Sequence, residues 1–263
     1  MSINNVIQQA ADRIQNAHDT GRPDEPVRNL LKEGDIDAAY EVQEVNTKRR
    51  LERGARLVGR KIGLTSKVVQ NQLGVDQPDF GMLFDDMAVS DGEEVPVGMV
   101  LQPRVEGEIS FVMERELAME KPTPSDVVDA IAYVTPSIEI VGSRIKDWDI
   151  NIQDTIADNA SAALYVVGNQ KVSLDSFDGR LCGMVLECQG EPLTVGAGAA
   201  CLGHPVNAVR WLAKEMVRRG RPLGAGDVVM SGALGPMVPI TPGHVYEVRI
   251  NEVGSCRAAF ASK

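Results

Sequence analysis

Two glutamates, Glu106 and Glu108, stand in the run Arg104-Val105-Glu106-Gly107-Glu108-Ile109-Ser110-Phe111-Val112-Met113. If that run is extended, residues two apart share a face and stand roughly 7 Å apart, twice the rise of a strand. Carboxylates so placed repel each other unless a cation lies between them. One reading is an ordinary solvated strand face. The other is a pair of hard oxygen ligands for Mg2+ or Mn2+, completed by a third carboxylate. Glu139 is the obvious third, because it interrupts the apolar run Ser137-Ile138-Glu139-Ile140-Val141, where a charge needs a partner or a metal. Nearby Arg144 offers it a salt bridge instead. Lys61, in Gly59-Arg60-Lys61-Ile62-Gly63-Leu64-Thr65, is hemmed by glycines that permit close approach of a ligand. It is either a carboxylate-binding or acid/base group or a solvated surface lysine. Asp79, in Gln77-Pro78-Asp79-Phe80-Gly81, reads as a general base or as a turn residue, and its neighbours favour the turn. Asp158-Asn159-Ala160-Ser161 suits a cap fragment or the wall of a polar pocket, and Gly232-Ala233-Leu234-Gly235-Pro236 a substrate-cradling loop or a plain turn. No phosphate-binding glycine motif, nucleophile elbow or HExxH occurs. His18 has no triad partner, and His204 before Pro205 reads as a helix cap.

The elements that must position these residues change character near residue 55. Before it, Val6, Ile7, Ala10, Ala11, Ile14 and Ala17, then Ile36, Ala39, Val42 and Val45, recur at helical spacing. Gly54 can close the second helix in the left-handed conformation. Residues 1–55 are therefore predicted to be a helical segment packed on a core formed by 56–263. Beyond it, strand-like runs cover Leu57 to Gly63, Leu83 to Val89, Arg104 to Met113 and Ser137 to Val141. A short helix capped by Ser125 leads into the last of these, and later a hairpin turns at Gln189-Gly190. A helix opens at His204-Pro205 and stops at Gly220, and strands lie near Asp227 to Ser231 and His244 to Glu252. Without regular strand-helix alternation, the expected fold class is α+β with a curved, largely antiparallel sheet.

Composition narrows the function classes. The chain has 263 residues, 37 acidic against 27 basic, and a net charge of −10, with basic residues in no run longer than Lys48-Arg49-Arg50. Nucleic acid is disfavoured as a partner. Four cysteines without a CxxC pair indicate neither a disulfide framework nor a zinc knuckle. No stretch is apolar enough for a membrane span, and the N-terminus lacks a signal-peptide pattern, so a cytoplasmic location is expected.

Taken together, several segments carry a resemblance that no one of them does. The Gly59–Thr65 run, Leu73-Gly74-Val75-Asp76-Gln77-Pro78-Asp79-Phe80-Gly81, Gln102-Pro103-Arg104-Val105-Glu106-Gly107-Glu108-Ile109, Glu139-Ile140-Val141-Gly142-Ser143-Arg144, Ile156-Ala157-Asp158-Asn159-Ala160-Ser161, Cys201-Leu202-Gly203-His204-Pro205 and Ser231-Gly232-Ala233-Leu234-Gly235-Pro236-Met237 follow in order along nearly the whole chain. The chain resembles the 2-oxopent-4-enoate hydratases of the fumarylacetoacetate hydrolase superfamily, which act in meta-cleavage degradation of aromatic compounds. The resemblance implies the mixed β-sandwich or roll of the fumarylacetoacetase C-terminal domain, with the N-terminal helices against it. It implies a divalent metal, Mg2+ or Mn2+, on Glu106, Glu108 and Glu139. It gives Lys61, Asp79 and Ser161 catalytic roles, with Lys61 against Asp79 open as the main acid/base. Leu64, Arg104, Gly232, Ala233, Leu234 and Gly235 are the implied substrate-binding residues. The implied substrate is a 2-hydroxydienoate and the implied assembly a homo-oligomer, with a complex with a pathway decarboxylase or aldolase as a further option. The runner-up is a 2-oxo-3-hexenedioate (4-oxalocrotonate) decarboxylase, from which the Gly232–Met237 loop and the acidic Asp79 distinguish this chain. A hydratase for a longer diacid such as 2-oxohept-4-ene-1,7-dioate would need an additional cation. Acylpyruvate hydrolysis ranks third, and a metal-binding assembly subunit is the alternative outside enzymes.

Overall fold

The computed structural model describes residues 3–73 and 75–262, so that Met1, Ser2 and Gly74 of the sequence readings above lie outside it. Six α-helices are α1 (Ile3–Thr20), α2 (Ile36–Glu52), α3 (Lys67–Leu73), α4 (Pro124–Asp129), α5 (Ile152–Ala157) and α6 (Pro205–Arg218). The strands are β1 (Leu57–Gly63), β2 (Asp79–Phe84), β3 (Ala88–Val89), β4 (Glu94–Val95), β5 (Arg104–Met113), β6 (Ile131–Val141), β7 (Ala162–Val167), β8 (Gly183–Cys188), β9 (Glu191–Ala197), β10 (Val228–Met230), β11 (Val238–Pro239), β12 (Val245–Ile250) and β13 (Gly254–Phe260). One sheet runs β2-β1-β10-β5-β6-β7-β3, with β11 pairing the start of β5, and the other runs β4-β13-β12-β8-β9. The pairs β1·β10, β3·β7 and β4·β13 are parallel and the rest antiparallel. This is the expected α+β composition with curled, mainly antiparallel sheets.

The long β5·β6 ladder is the spine. Val105, Ile109, Phe111 and Met113 on β5 are buried at one parity, as the alternation requires. The opposite parity is not the solvated face that the sequence suggests, because Glu108 and Ser110 are both 0% exposed. The strand is covered on both faces: at Gly107 an added Cβ would come 2.6 Å from Val248 of β12, so the second sheet packs there. On the glutamate face, Gly232 of the loop after Ser231 meets Glu108 and the buried Lys61 meets Glu139.

Local chemistry sets the helix ends. His204 Nδ1 accepts a hydrogen bond from Val206 N–H at 3.1 Å and Pro205 takes the first turn of α6. The cap of α4 is Thr123 and not Ser125: Thr123 Oγ1 accepts from Asp126 N–H, and Asp126 accepts in return from Thr123 N–H, a reciprocal pair that outcompetes a lone serine. The hairpin between β8 and β9 turns on Gln189 (φ 54°) and Gly190 (φ 83°), as the expected two-residue turn demands. The helix α1 buries Ile7, Ala10, Ala11 and Ile14 against Val42 of α2, Ile145 and Ala157, a small cluster beside the main core. The second helix reaches the main core directly, where Tyr40 stacks on Phe80 with ring centroids 4.5 Å apart. All four cysteines are buried and free. Among the described residues no helix is long and apolar enough to cross a membrane.

Candidate active site

Antiparallel register brings the three glutamates together. Glu106 lies directly opposite Glu139 across the β5·β6 ladder, and Glu108 opposite Ser137, so all three carboxylates share one face of two adjacent strands. One oxygen from each falls within 4.8 Å of the others. Glu108 Oε2 accepts from Gly232 N–H at 2.8 Å. Among the described residues, Glu108 Oε1 and Glu139 Oε2 are buried with no hydrogen-bond partner, and Glu139 Oε1 meets the Lys61 ammonium. Orphaned carboxylate oxygens are costly in a protein interior. The three glutamates, each bringing one oxygen to the cluster, supply the donor set that a hard divalent cation takes.

Lys61 is buried, not a surface lysine. Its Nζ donates to Ala160 O at 2.7 Å and forms an ion pair with Glu139 Oε1 at 3.0 Å. Glu139 is therefore met by Lys61. Arg144, the alternative partner, instead pairs with the buried Asp158, donating from Nε and backbone N–H to its carboxylate and from Nη2 to its carbonyl.

Asp79 is not a turn residue: it opens β2 and pairs in register with Gly63. It is 0% exposed, and among the described residues neither of its oxygens has a hydrogen-bond partner. A Cβ at Gly63 would sit 2.2 Å from Asp79 Oδ1, so only glycine leaves room for the carboxyl. Ser161 closes a turn in which Asn159 (φ 54°), Ala160 (φ 52°) and Ser161 (φ 57°) are all left-handed. Each non-glycine residue in that region costs about 1–2 kcal/mol, and such strain persists where the surroundings over-determine it. The Ser161 Oγ is buried and has no partner among the described residues.

The loop after β10 is pinned over Glu108. Ser231 N–H donates to Ile109 O, Leu234 N–H to Gly107 O and Ala197 N–H to Leu234 O. Gly232 has φ 96°, and a Cβ there would meet Thr65 Oγ1 at 2.4 Å. Leu234 is buried, while Ala233 and Gly235 are half-buried. Leu64, half-buried with φ 56°, follows Gly63, and its carbonyl accepts from Gln70 Nε2 at 2.6 Å. The remaining candidate goes elsewhere: Arg104 lies with its guanidinium 4.6 Å over the Trp148 ring, lining a groove of about 410 Å³ with Val95, Val100, Pro239 and Phe260. None of the three glutamates pairs with it.

The electrostatics follow from burial and crowding. Burial, then the neighbouring Glu139 charge, pushes Glu106 up to about 8. Glu108 is pushed well above the carboxylate range by burial and by the Glu139 and Glu106 charges. Asp79 is raised to about 6, mostly by burial, against the pull of Lys61. For Lys61, burial works to lower the pKa, but Glu139, Asp79, Glu106 and Glu108 together outweigh it and hold the ammonium charged. Four acids face one base, and positive charge is in deficit.

Sequence reading left three supporting residues without roles. Asn159 Oδ1 accepts from Met82 N–H at 2.7 Å and its Nδ2 donates to Met82 O at 2.9 Å. Gln43 of α2 donates to Phe80 O and Ile156 O, and Cys201 Sγ donates to Ser231 O. The Asp158-Asn159-Ala160-Ser161 string was the signal for the first; nothing in the sequence marks Gln43.

Residues 52–261 match the model of the fumarylacetoacetate (FAA) hydrolase C-terminal family. The chain belongs to the fumarylacetoacetate hydrolase family. It is 58% identical to a Pseudomonas putida protein named TodF product hydratase, over 97% of this chain and 96% of the relative. It is 53% identical to a 2-keto-4-pentenoate hydratase of Paraburkholderia xenovorans, over 97% and 95%. Among solved structures, the 4-oxalocrotonate decarboxylase from Pseudomonas putida G7, complexed with magnesium and adipate, superposes with a TM-score of 0.93 at 36% identity, covering 99% of this chain and 98% of that one.

Proposed function

We infer that this protein is a divalent-metal-dependent hydratase that adds water to 2-hydroxypenta-2,4-dienoate and yields 4-hydroxy-2-oxopentanoate. The observation that carries the reading is the convergence of Glu106, Glu108 and Glu139 beside Lys61 and the unpartnered Asp79, in a chain about half identical to named hydratases. Glu106, Glu108 and Glu139 would hold Mg2+ or Mn2+, whose charge, when bound, favours the enolate of the 2-oxoacid.

The chain's own groups divide the remaining work. Ketonisation moves a proton from the enol hydroxyl to carbon 5; hydration then places hydroxyl on carbon 4 and a proton on carbon 3. Asp79, at about 6, is poised to hold or release a proton near neutral pH. Lys61, kept charged, binds at the carboxylate end and fixes Glu139 at 3.0 Å. The Ser161 hydroxyl donates to substrate, while Leu64 and the Gly232–Gly235 loop form walls. The chemistry belongs to residues 56–263, with the 1–55 helices as their support. A cytoplasmic homo-oligomer, in contact with the pathway's aldolase or decarboxylase, is the setting we propose.

The decarboxylase reading rests on the 36% identical neighbour of that name. Asp79, suited to proton transfer to or from water, favours hydration. Product analysis of the dienoate incubated with Mg2+-loaded protein tests the reading. Formation of 4-hydroxy-2-oxopentanoate is expected; recovery of the unsaturated ketone alone would contradict it.

A further inference from the structure

We propose that Asn159 is a positioning residue for the reaction, acting by clipping the left-handed turn that carries Ala160 and Ser161 onto strand β2. The strand β2 is the edge of its sheet, and an edge strand leaves backbone groups that must find partners. At Met82 both are taken by one carboxamide: Asn159 Oδ1 accepts from the N–H at 2.7 Å and Nδ2 donates to the C=O at 2.9 Å. The side chain thus imitates a paired strand residue, and through it the turn is registered to the strand that carries Asp79.

Three further contacts make this clip consequential. The Ala160 carbonyl, one residue on, receives the Lys61 ammonium at 2.7 Å. The Ser161 carbonyl accepts from Gly142 N–H at 2.9 Å, tying the turn's other end to the strand that bears Glu139. At Gly81 a Cβ would fall 2.2 Å from Asn159 O, so backbone and backbone are already at closest approach. Lys61, Asp79 and Ser161 come from β1, β2 and the turn, and the Asn159 amide is the side chain that joins the turn to β2. Residue chemistry restricts the position. Asparagine tolerates φ 54° better than other side chains and offers a donor and an acceptor together; aspartate has no donor and serine only one group.

The kinetic part of the proposal rests on the hydratase reading, so its test pairs turnover with a readout that needs none. Asn159→Gly suits φ 54° and removes only the clip, which keeps the backbone turn accessible. In the Mg2+-loaded variant, kcat on the dienoate is expected to fall about tenfold or more, the scale of a small misplacement of reacting groups. The Mg2+ dissociation constant is expected to stay within about twofold of wild type, because none of the three glutamates is touched. In parallel, acetic anhydride labelling followed by peptide mass spectrometry reads Lys61 directly. Its labelling is expected to speed up in the variant relative to the exposed Lys32 and Lys121. Asn159→Asp, retaining the acceptor alone, is expected to move both readouts the same way, with a lower kcat and faster Lys61 labelling than wild type. A merely structural amide would lower the melting temperature while leaving kcat per folded site and Lys61 labelling unchanged, and that result would overturn the proposal. If wild type shows no turnover yet Lys61 labelling still responds to Asn159→Gly, the clip stands and the hydratase reading falls.

Discussion

Glu106 and Glu139 face each other across adjacent antiparallel strands, the one arrangement in a sheet where like charges are closest. The repulsion is relieved in part by the Lys61 ammonium, 3.0 Å from Glu139 Oε1, and in part by protons. A divalent cation would relieve the rest.

Glu106→Gln should therefore separate stability from function. The metal-free variant is expected to melt no lower than metal-free wild type near neutral pH, because the amide replaces a carboxyl that burial and Glu139 already keep protonated below about 8. Turnover is expected to fall by about a hundredfold or more, since a neutral amide cannot offset a divalent charge. Wild type should gain about 2.7 kcal/mol at a Mg2+ concentration near 100 times its dissociation constant, seen as a rise in melting temperature that the variant lacks. Full turnover in the variant at saturating Mg2+ contradicts the ligand assignment.

Metal affinity should climb with pH. In the metal-free state Glu106 holds its proton up to about 8, above its ordinary 4.5, and Glu108 is also raised. Ligation requires the ionised form, so binding expels protons and weakens as pH drops below about 8. The same shift has a stability sign. Folded protein binds the Glu106 proton more tightly than unfolded protein does, so this contribution is full below 4.5 and is lost as pH rises through about 8. Calorimetric titration in buffers of different ionisation enthalpy measures the released protons; an affinity flat between pH 6 and 9 runs against the expectation.

Asp79→Asn should lower kcat by about 10² to 10⁴, the usual range for a lost acid/base group. The Mg2+ dissociation constant should change by less than a few fold. An equal loss of both would move Asp79 into the coordination shell.

Arg144→Met leaves Asp158, 0% exposed, without its guanidinium. Breaking one side of a buried pair costs about 3–5 kcal/mol, and a fall of many degrees in melting temperature is expected. A melting temperature within a degree of wild type would mean that Asp158 is already protonated, which its upward push by burial to about 6 makes a matter for titration.

Most of the strands were legible where alternation and punctuation agreed, as in β1, β5 and the β8–β9 hairpin. Strand spacing and the apolar run around Glu139 singled out the three glutamates as candidates, and the family resemblance joined them into one implied metal set. Their burial was not legible, since alternation reveals that two faces differ but not that a second layer covers the polar one. Asp79 beside Pro78 looked like a turn because its true partner, Gly63, is supplied by another strand. β13 was missed altogether: in Gly254-Ser255-Cys256-Arg257-Ala258-Ala259-Phe260 five of seven residues are small and have little intrinsic strand preference, and pairing with β12 decides its state. Arg104 has the strand parity of Glu106, yet Trp148 draws its guanidinium aside, a long-range contact that spacing cannot show.

Metal-dependent hydration is decided by one paired assay. Protein loaded with Mg2+ or Mn2+ is given 2-hydroxypenta-2,4-dienoate and, separately, 2-oxo-3-hexenedioate, while dienol absorbance and released CO2 are followed. Loss of dienol without CO2, abolished by EDTA and restored by metal, is the expected result. Release of CO2 from the diacid, with the dienoate untouched, would rule out hydration and make the chain a decarboxylase.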